Sequence, residues 1–189
     1  MKAKAIRNTI LNILYVVICG VIAYCLATYL FTTIPVEGES MESTIHNADK
    51  VLLLKPVKKF RYGDIVVFKS GTFDEAGNER YFIKRIIGLP GDTVEIIKDP
   101  DNGVCYVWRN GEKLVEEYIG SAIPYEMPRV TVPEGQFFFL GDNRGNSSDS
   151  RALGCRSLDT ILGRVLLRYA GGLTDLDIEI IHRLLIDFI

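Results

Sequence analysis

The sequence predicts a mainly β domain behind one N-terminal transmembrane helix. Short apolar runs rich in β-branched and aromatic residues recur along the chain, separated by Gly- and Pro-containing turns. A hydrophobic run without charged residues, from about residue 10 to residue 31, precedes them. With 189 residues, the chain has room for one ordinary domain and a short appendage.

The N-terminal hydrophobic run is long enough to cross a membrane as a helix. Roughly 22 residues span a hydrocarbon layer of about 30 Å, whereas a cleaved signal peptide has an apolar core of about 7–15 residues. We therefore expect an uncleaved anchor over residues 10–33. Lys2, Lys4 and Arg7 precede it, so the positive-inside rule predicts a single-pass protein of the cell membrane. Residues 1–9 are then cytoplasmic and residues 34–170 form an extracytoplasmic domain.

Eight segments of the extracytoplasmic part have strand character. Asn110-Gly111 marks a tight hairpin turn, and Pro124, Pro128 and Pro133 punctuate a stretch that we interpret as an irregular connection. The predicted strands cover residues 51–54, 64–68, 81–87, 93–97, 104–108, 112–115, 136–140 and 161–169.

The C-terminal segment, residues 171–189, has a different pattern. Leu173, Leu176, Ile180, Leu184 and Phe188 recur at helical spacing, which predicts a short amphipathic helix. Three interpretations remain open for it: packing on its own domain, lying in a membrane interface, or contacting a partner.

Composition excludes some function classes. A formal net charge of −2 gives no basic footprint for nucleic acid. No CxxC or HxxxH spacing is present, so we expect no metal site and no cofactor. Cys105 and Cys155 lie outside the predicted membrane, and the sequence leaves open whether they form a disulfide or remain free thiols.

Ser40 and Lys84 are the residues best suited to nucleophilic chemistry. Ser40 lies in GESMESTI just after the anchor, and a nucleophilic serine there needs a nearby base. The two histidines, His46 and His182, offer little material for a catalytic triad. Lys84 lies among apolar residues, whose desolvating effect lowers the pKa of an amine and lets it accept a proton. The alternative interpretations are a polar linker at Ser40 and a surface-reaching lysine.

The loop GDNRGNSSDSR, residues 141–151, is dense in hydrogen-bonding groups. Turn chemistry explains its Gly, Asn, Asp and Ser residues. It does not explain why two arginines alternate with two aspartates after an aromatic strand. This pattern indicates a network that fixes neighbouring side chains.

Four motifs together resemble the conserved boxes of type I bacterial signal peptidases. They are Ser40-Met41, GDIVVF at residues 63–68, KRIIGLPGD at residues 84–92, and the loop GDNRGNSSDSR. They follow an N-terminal anchor in the order that the family has, and the resemblance covers roughly residues 10–169. It implies a signal-peptidase-like β fold and a membrane-bound serine endopeptidase similar to the short Gram-positive members.

The resemblance also implies roles for single residues. Ser40 is expected to be the nucleophile and Lys84 the general base, with the backbone N–H of Ser40 in the oxyanion hole. Ser147 is expected to orient the Lys84 amine. Asp149 is expected to hold the loop through Arg85 or Arg151. The residues expected to line shallow substrate pockets are Met41, Ile45, Phe82 and Ile83.

Two positions depart from the family pattern. Gly38 stands where some members have a serine that donates to the oxyanion, so a second donor here must be a backbone N–H or be absent. Ser43 stands three positions after Ser40, where the family usually has proline.

The resemblance implies that the partners are preproteins carrying signal peptides, together with the lipid bilayer. It predicts neither nucleic acid nor an obligate protein partner. Two other functions are kept as alternatives: a Ser-Lys autopeptidase like the self-cleaving repressors, and an inactive membrane-tethered β binding module.

Overall fold

The computed structural model describes residues 2–55 and 57–170, and shows one long helix followed by two antiparallel β-sheets. The segment 171–189, for which an amphipathic helix is predicted, lies outside the described residues. The mainly β fold class predicted from the sequence is confirmed.

Helix α1 spans Lys2–Leu30. Its segment Ile6–Leu30 has 25 residues, a mean hydropathy of 2.5 and no part buried within the protein. Such a helix is about 37 Å long, enough by length and composition to cross a membrane. The helix ends at Leu30, so residues 31–33, expected in the anchor, instead begin the first strand.

The larger sheet contains seven strands. Their order is β1-β2-β11-β3-β4-β9-β10, and all pairs are antiparallel. The strands are β1 Phe31–Pro35, β2 Lys50–Leu54, β3 Ile65–Phe73, β4 Glu79–Gly88, β9 Gln136–Leu140, β10 Arg156–Ser157 and β11 Ile161–Tyr169.

The smaller sheet contains four strands in the order β7-β6-β5-β8. They are β5 Thr93–Lys98, β6 Cys105–Arg109, β7 Glu112–Lys113 and β8 Met127–Thr131. Asn110 (φ 54°) and Gly111 (φ 82°) make the tight turn between β6 and β7, as their sequence predicts. Helix α2 (Ser150–Leu153) and a 3₁₀ turn at Leu158–Thr160 complete the described chain.

Strand β4 leads from the larger sheet into the smaller one and carries Lys84 and Arg85. Gly88 ends it where the small sheet comes close, and a Cβ there would lie 2.9 Å from side-chain atoms of both Val94 and Val132. Phe68 packs edge-on against the Phe137 and Phe139 rings, with centroids 5.1 and 4.7 Å away. This aromatic cluster holds β3, β4 and β9 rigidly together.

Strand β8 was not predicted, because Pro128 lies inside it. It is an edge strand of the small sheet, where a residue without an N–H costs no ladder hydrogen bond on the solvent side. Strand β1 was also missed, since its apolar residues continue the hydropathy of the anchor. Cys105 and Cys155 are free thiols. Cys105 belongs to the hydrophobic cluster that includes Val94 and Val107, and Cys155 packs against that cluster.

Candidate active site

Ser40 lies in the connection between β1 and β2, which we call the nucleophile turn (residues 36–49). The N–H groups of Thr44 and Ile45 donate to the Met41 carbonyl at 3.0 and 2.8 Å, which makes a tight turn just after Ser40. Met41 and Ile45 are each 1% exposed and pack into the core. These two side chains therefore anchor the turn in the core, while Ser40 itself remains half-buried.

Lys84 reaches Ser40 from the middle of β4. Its Nζ donates to Ser40 Oγ at 2.5 Å and to the Ile83 carbonyl at 2.9 Å. The side chain is 4% exposed, and its Nζ lies 5.1 Å from the centroid of the Phe82 ring. The structure thus brings together two residues 44 positions apart in the sequence.

Burial lowers the pKa of Lys84 from 10.5 to about 8, because desolvation penalises the ammonium form. The negative charges of Asp149 and Asp142 oppose this effect and raise the pKa, but less strongly. An amine with this pKa is partly neutral near neutral pH and can accept the proton of a serine hydroxyl. The pair therefore has the chemistry of a nucleophile and its general base.

Asp149 organises the loop at residues 141–151. It is fully buried and accepts two hydrogen bonds from the Arg151 guanidinium, both at 2.8 Å. Its carboxylate also accepts from the Gly141 N–H at 3.2 Å and caps α2 by accepting from the Arg151 N–H. The loop is thereby held against the end of β9, beside Ser40.

Of the two arginines expected as alternatives for holding Asp149, Arg151 does so and Arg85 does not. Arg85 donates instead to the fully buried Asp142, from Nε at 2.9 Å and from Nη2 at 2.6 Å. Asp142 Oδ2 also accepts from Thr44 Oγ1 at 2.5 Å. One carboxylate therefore connects β4, the 141–151 loop and the nucleophile turn.

Ser147 lies close to the nucleophile, since a Cβ added to Gly141 would collide with both the Ser147 side chain and the Ser40 carbonyl. The Ser147 Oγ is buried and has no hydrogen-bond partner in the part of the chain that the structure describes. Its expected role in orienting the Lys84 amine therefore stays a prediction.

A cleft of about 820 Å³ opens beside the dyad. Phe82 and Ile83 line it as expected, but Met41 and Ile45 do not, because their side chains point into the core. Strand β9 pairs with β4 only from Arg85 onward, so the edge of β4 before Arg85 faces the cleft and has no partner strand among the described residues. The apolar residues that line the cleft beyond the two expected ones include Ile34, Pro35, Val36, Val51 and Val67.

The backbone around Ser40 contains one candidate oxyanion donor. The Ser40 carbonyl accepts from the Asn143 N–H at 3.1 Å. The N–H of Ser40 makes no hydrogen bond within residues 2–55 and 57–170. The Gly38 N–H is already occupied, since it donates to Asn47 Oδ1 at 3.0 Å. Gly38 is therefore a poor second donor in this conformation.

Comparisons with known proteins identify the family. Residues 7–170 match the family described as signal peptidase, peptidase S26. The chain belongs to the signal peptidase family. It is 35% identical to the probable signal peptidase I-1 of Synechocystis sp. over 164 aligned residues. The aligned region covers 84% of this chain and 81% of that protein. It is also 35% identical to signal peptidase I S of Bacillus subtilis, over 72% of this chain and 74% of that one.

A solved structure was found as well. The crystal structure of a signal peptidase I from Enterococcus faecalis aligns with a TM-score of 0.47 and 31% identity, covering 58% of this chain and 98% of that chain.

For this member of the signal peptidase family, sequence reasoning missed three site residues. Asp142, Thr44 and Asn143 link the nucleophile turn to the 141–151 loop. The alternation of aspartates and arginines in that loop was the available signal, but it could not say which arginine meets which aspartate.

Proposed function

We propose that this serine endopeptidase cleaves N-terminal signal peptides from exported preproteins through a Ser40–Lys84 dyad and an acyl-enzyme. The observation that carries the proposal is the 2.5 Å contact between the buried Lys84 Nζ and Ser40 Oγ at the end of a peptide-sized cleft. Family membership supplies the substrate class.

The acylation half-reaction uses the neutral amine of Lys84. It takes the proton of Ser40 Oγ as that oxygen attacks the carbonyl carbon of the scissile bond. In this proposal the Ser40 N–H stabilises the oxyanion that develops, a contribution of about 3–4 kcal/mol per donor. When the C–N bond breaks, Lys84 returns the proton to the leaving amine, and the signal peptide remains as an ester on Ser40.

Deacylation repeats the same proton transfers with water. Lys84 accepts a proton from a water molecule as that water attacks the ester carbonyl, and then gives the proton to Ser40 Oγ. The signal peptide leaves with a free carboxylate and the dyad is restored. These steps require no cofactor.

The free edge of β4 is the proposed docking site for the substrate. An extended peptide can add to it as a further strand, so that main-chain hydrogen bonds supply affinity. Alternate side chains of such a strand point toward the cleft, where Phe82 and Ile83 form apolar walls. This geometry favours substrates that are extended near the cleavage site.

We further propose that α1 anchors the protein with residues 1–9 in the cytoplasm and the β domain outside. Lys4 and Arg7 at the start of the helix support this orientation. Strand β1 begins directly after Leu30, and Ser40 lies ten positions beyond the helix end, at most about 35 Å of extended chain. The nucleophile is thereby kept near the membrane surface.

The test is a preprotein cleavage assay with the full chain in detergent. We expect the wild type to release the mature protein, and Ser40→Ala and Lys84→Met to lose activity to background. Lys98→Met removes an exposed lysine on the small sheet and should cleave like the wild type. Equal, negligible cleavage by the wild type and Ser40→Ala would favour the inactive binding module, and cleavage confined to the chain itself would favour the autopeptidase.

A further inference from the structure

The segment at residues 116–121 reaches from the small sheet to the proposed active site. It follows β7 and precedes β8 in the chain, yet it hydrogen-bonds to the nucleophile turn and to the 141–151 loop. Ser43 lies three residues after Ser40, and its Oγ donates to the Tyr118 carbonyl at 2.5 Å. Ser121 Oγ bonds to Asn143 Oδ1 and accepts from the Gly145 N–H, both at 2.9 Å.

A buried ion pair fixes the start of this segment. Glu116 accepts from both terminal nitrogens of Arg144, at 2.7 and 2.6 Å, and the two side chains are 4% and 0% exposed. Tyr118 Oη donates to the same carboxylate at 2.6 Å. The Arg85 guanidinium stacks on the ring of Tyr118, with Arg85 Cζ 3.8 Å from the ring centroid. A bidentate, desolvated pair of this kind has little freedom to shift.

Glycine permits the close approach of the two chains. A Cβ at Gly120 would lie 3.1 Å from Ser43 Cβ and 3.2 Å from Ser43 Oγ, tighter than most side-chain contacts. The backbone at Gly120 therefore packs so closely against Ser43 that a side chain would fit between them only if a neighbour shifted. A displacement of the segment toward Ser43 would therefore press on the turn that carries Ser40.

Ser43 itself has an unusual backbone conformation. Its φ is +80°, in the left-handed region that non-glycine residues avoid. Proline could not adopt this conformation, because its ring fixes φ near −65°. The turn after Ser40 therefore depends on something other than proline for its rigidity.

We infer that the 116–121 segment positions the nucleophile, with Ser43 as the residue through which it acts. The Ser43–Tyr118 contact holds the turn immediately after Ser40, and Asn143 holds the Ser40 carbonyl from the other side. Ser43 is a positioning residue, since its side chain faces Tyr118 and not Lys84. The inference rests on the proposed role of Ser40.

Two variants test the contact from opposite sides. Ser43→Gly deletes the hydroxyl but relieves the left-handed φ, so folding should be retained. Gly120→Ala leaves the hydroxyl in place and pushes the segment away from it. Because small displacements of a nucleophile are costly, we expect each to lower the kcat of preprotein cleavage by about tenfold, with KM within about twofold of wild type. The single-turnover cleavage rate should fall by the same factor.

Ala48→Gly is the matched control. Ala48 lies in the same turn with a φ of +70°, and its replacement relieves the same kind of backbone conformation without touching the 116–121 segment. It should keep the kcat of the wild type. Thermal melting of all three variants separates positioning from folding, because Ser43→Gly is expected to melt no lower than wild type.

The outcomes are distinguishable from those of the proposed function. Cleavage by the wild type that Ser40→Ala abolishes establishes the nucleophile independently. With that established, a wild-type kcat in Ser43→Gly or in Gly120→Ala overturns the positioning role alone. A loss of kcat in Ala48→Gly equal to that in Ser43→Gly would also overturn it, since backbone relief would then explain the effect.

Discussion

Arg85 and Asp142 form a buried, two-point ion pair beside the proposed catalytic lysine, with side chains 11% and 0% exposed. Arg85 also donates to the Gly63 carbonyl at 2.9 Å, and Asp142 also accepts from Thr44. The pair therefore joins β4 to the nucleophile turn at the position next to Lys84. Its loss would affect the stability of the domain as well as the dyad.

Asp142→Asn should destabilise the protein strongly. The substitution leaves the Arg85 guanidinium buried without its counter-charge, and breaking a buried pair in this way typically costs about 3–5 kcal/mol. The free energy of unfolding, measured by urea denaturation of the detergent-solubilised chain, should fall by about that amount.

Arg129→Ala provides a matched comparison. Arg129 also makes two hydrogen bonds to one carboxylate, that of Glu95, but its side chain is 60% exposed. Solvent screening makes such an exposed pair contribute little to stability. An Asp142→Asn variant no less stable than Arg129→Ala would contradict the structural role assigned to the buried pair.

The cleavage rate should depend on the ionisation of Lys84. Burial lowers its pKa to about 8, and only the neutral amine can accept the Ser40 proton. The kcat/KM should therefore rise with pH to a plateau with a midpoint near 8, and fall about tenfold for each pH unit well below it. A profile that is flat between about pH 6 and 9 would exclude Lys84 as the base.

The same shift predicts a pH-dependent stability. Between about pH 8 and the ordinary lysine value of 10.5, the unfolded chain keeps the Lys84 proton while the folded chain has lost it. The free energy of unfolding must then rise with pH across this window. Below the window, the charged and buried Lys84 ammonium exerts its full destabilising effect.

Lys84→Met removes that contribution. Measured from about pH 7 to 10, the stability difference between Lys84→Met and wild type should be largest at the low end and shrink as pH rises. Lys98→Met, which removes an exposed lysine, should follow the wild type at every pH. A constant difference for Lys84→Met would mean that the folded-state pKa is not depressed.

The sequence predicted the parts of this protein that local pattern determines. Most strands follow from runs of β-forming residues between turn signals, and α1 follows from its hydropathy. The boundary at Leu30 does not, because Phe31 is as apolar as the residues before it and only its pairing with Leu54 makes it a strand residue.

The site was predicted less completely, because its contacts depend on register and side-chain direction. Arg85 lies opposite Leu140 in the β4–β9 ladder, which brings it to Asp142 two residues further on rather than to Asp149. Met41 has the apolar character expected of a pocket residue, but the turn directs it into the core. The contact of Ser43 with Tyr118 spans 75 positions and leaves no local signal.

Gly141→Ala should inactivate the protein through sterics alone. A Cβ at this position would lie 2.7 Å from Ser147 Cβ and would collide with the Ser40 carbonyl, a backbone atom whose shift displaces the nucleophile itself. We expect about a hundredfold loss of kcat in the preprotein assay, as is typical for a reacting group displaced by about 1 Å. Gly145→Ala, in the same loop, meets its nearest atom at 3.5 Å and should retain activity. Near-normal activity of Gly141→Ala would show that the loop is not held against Ser40 during catalysis.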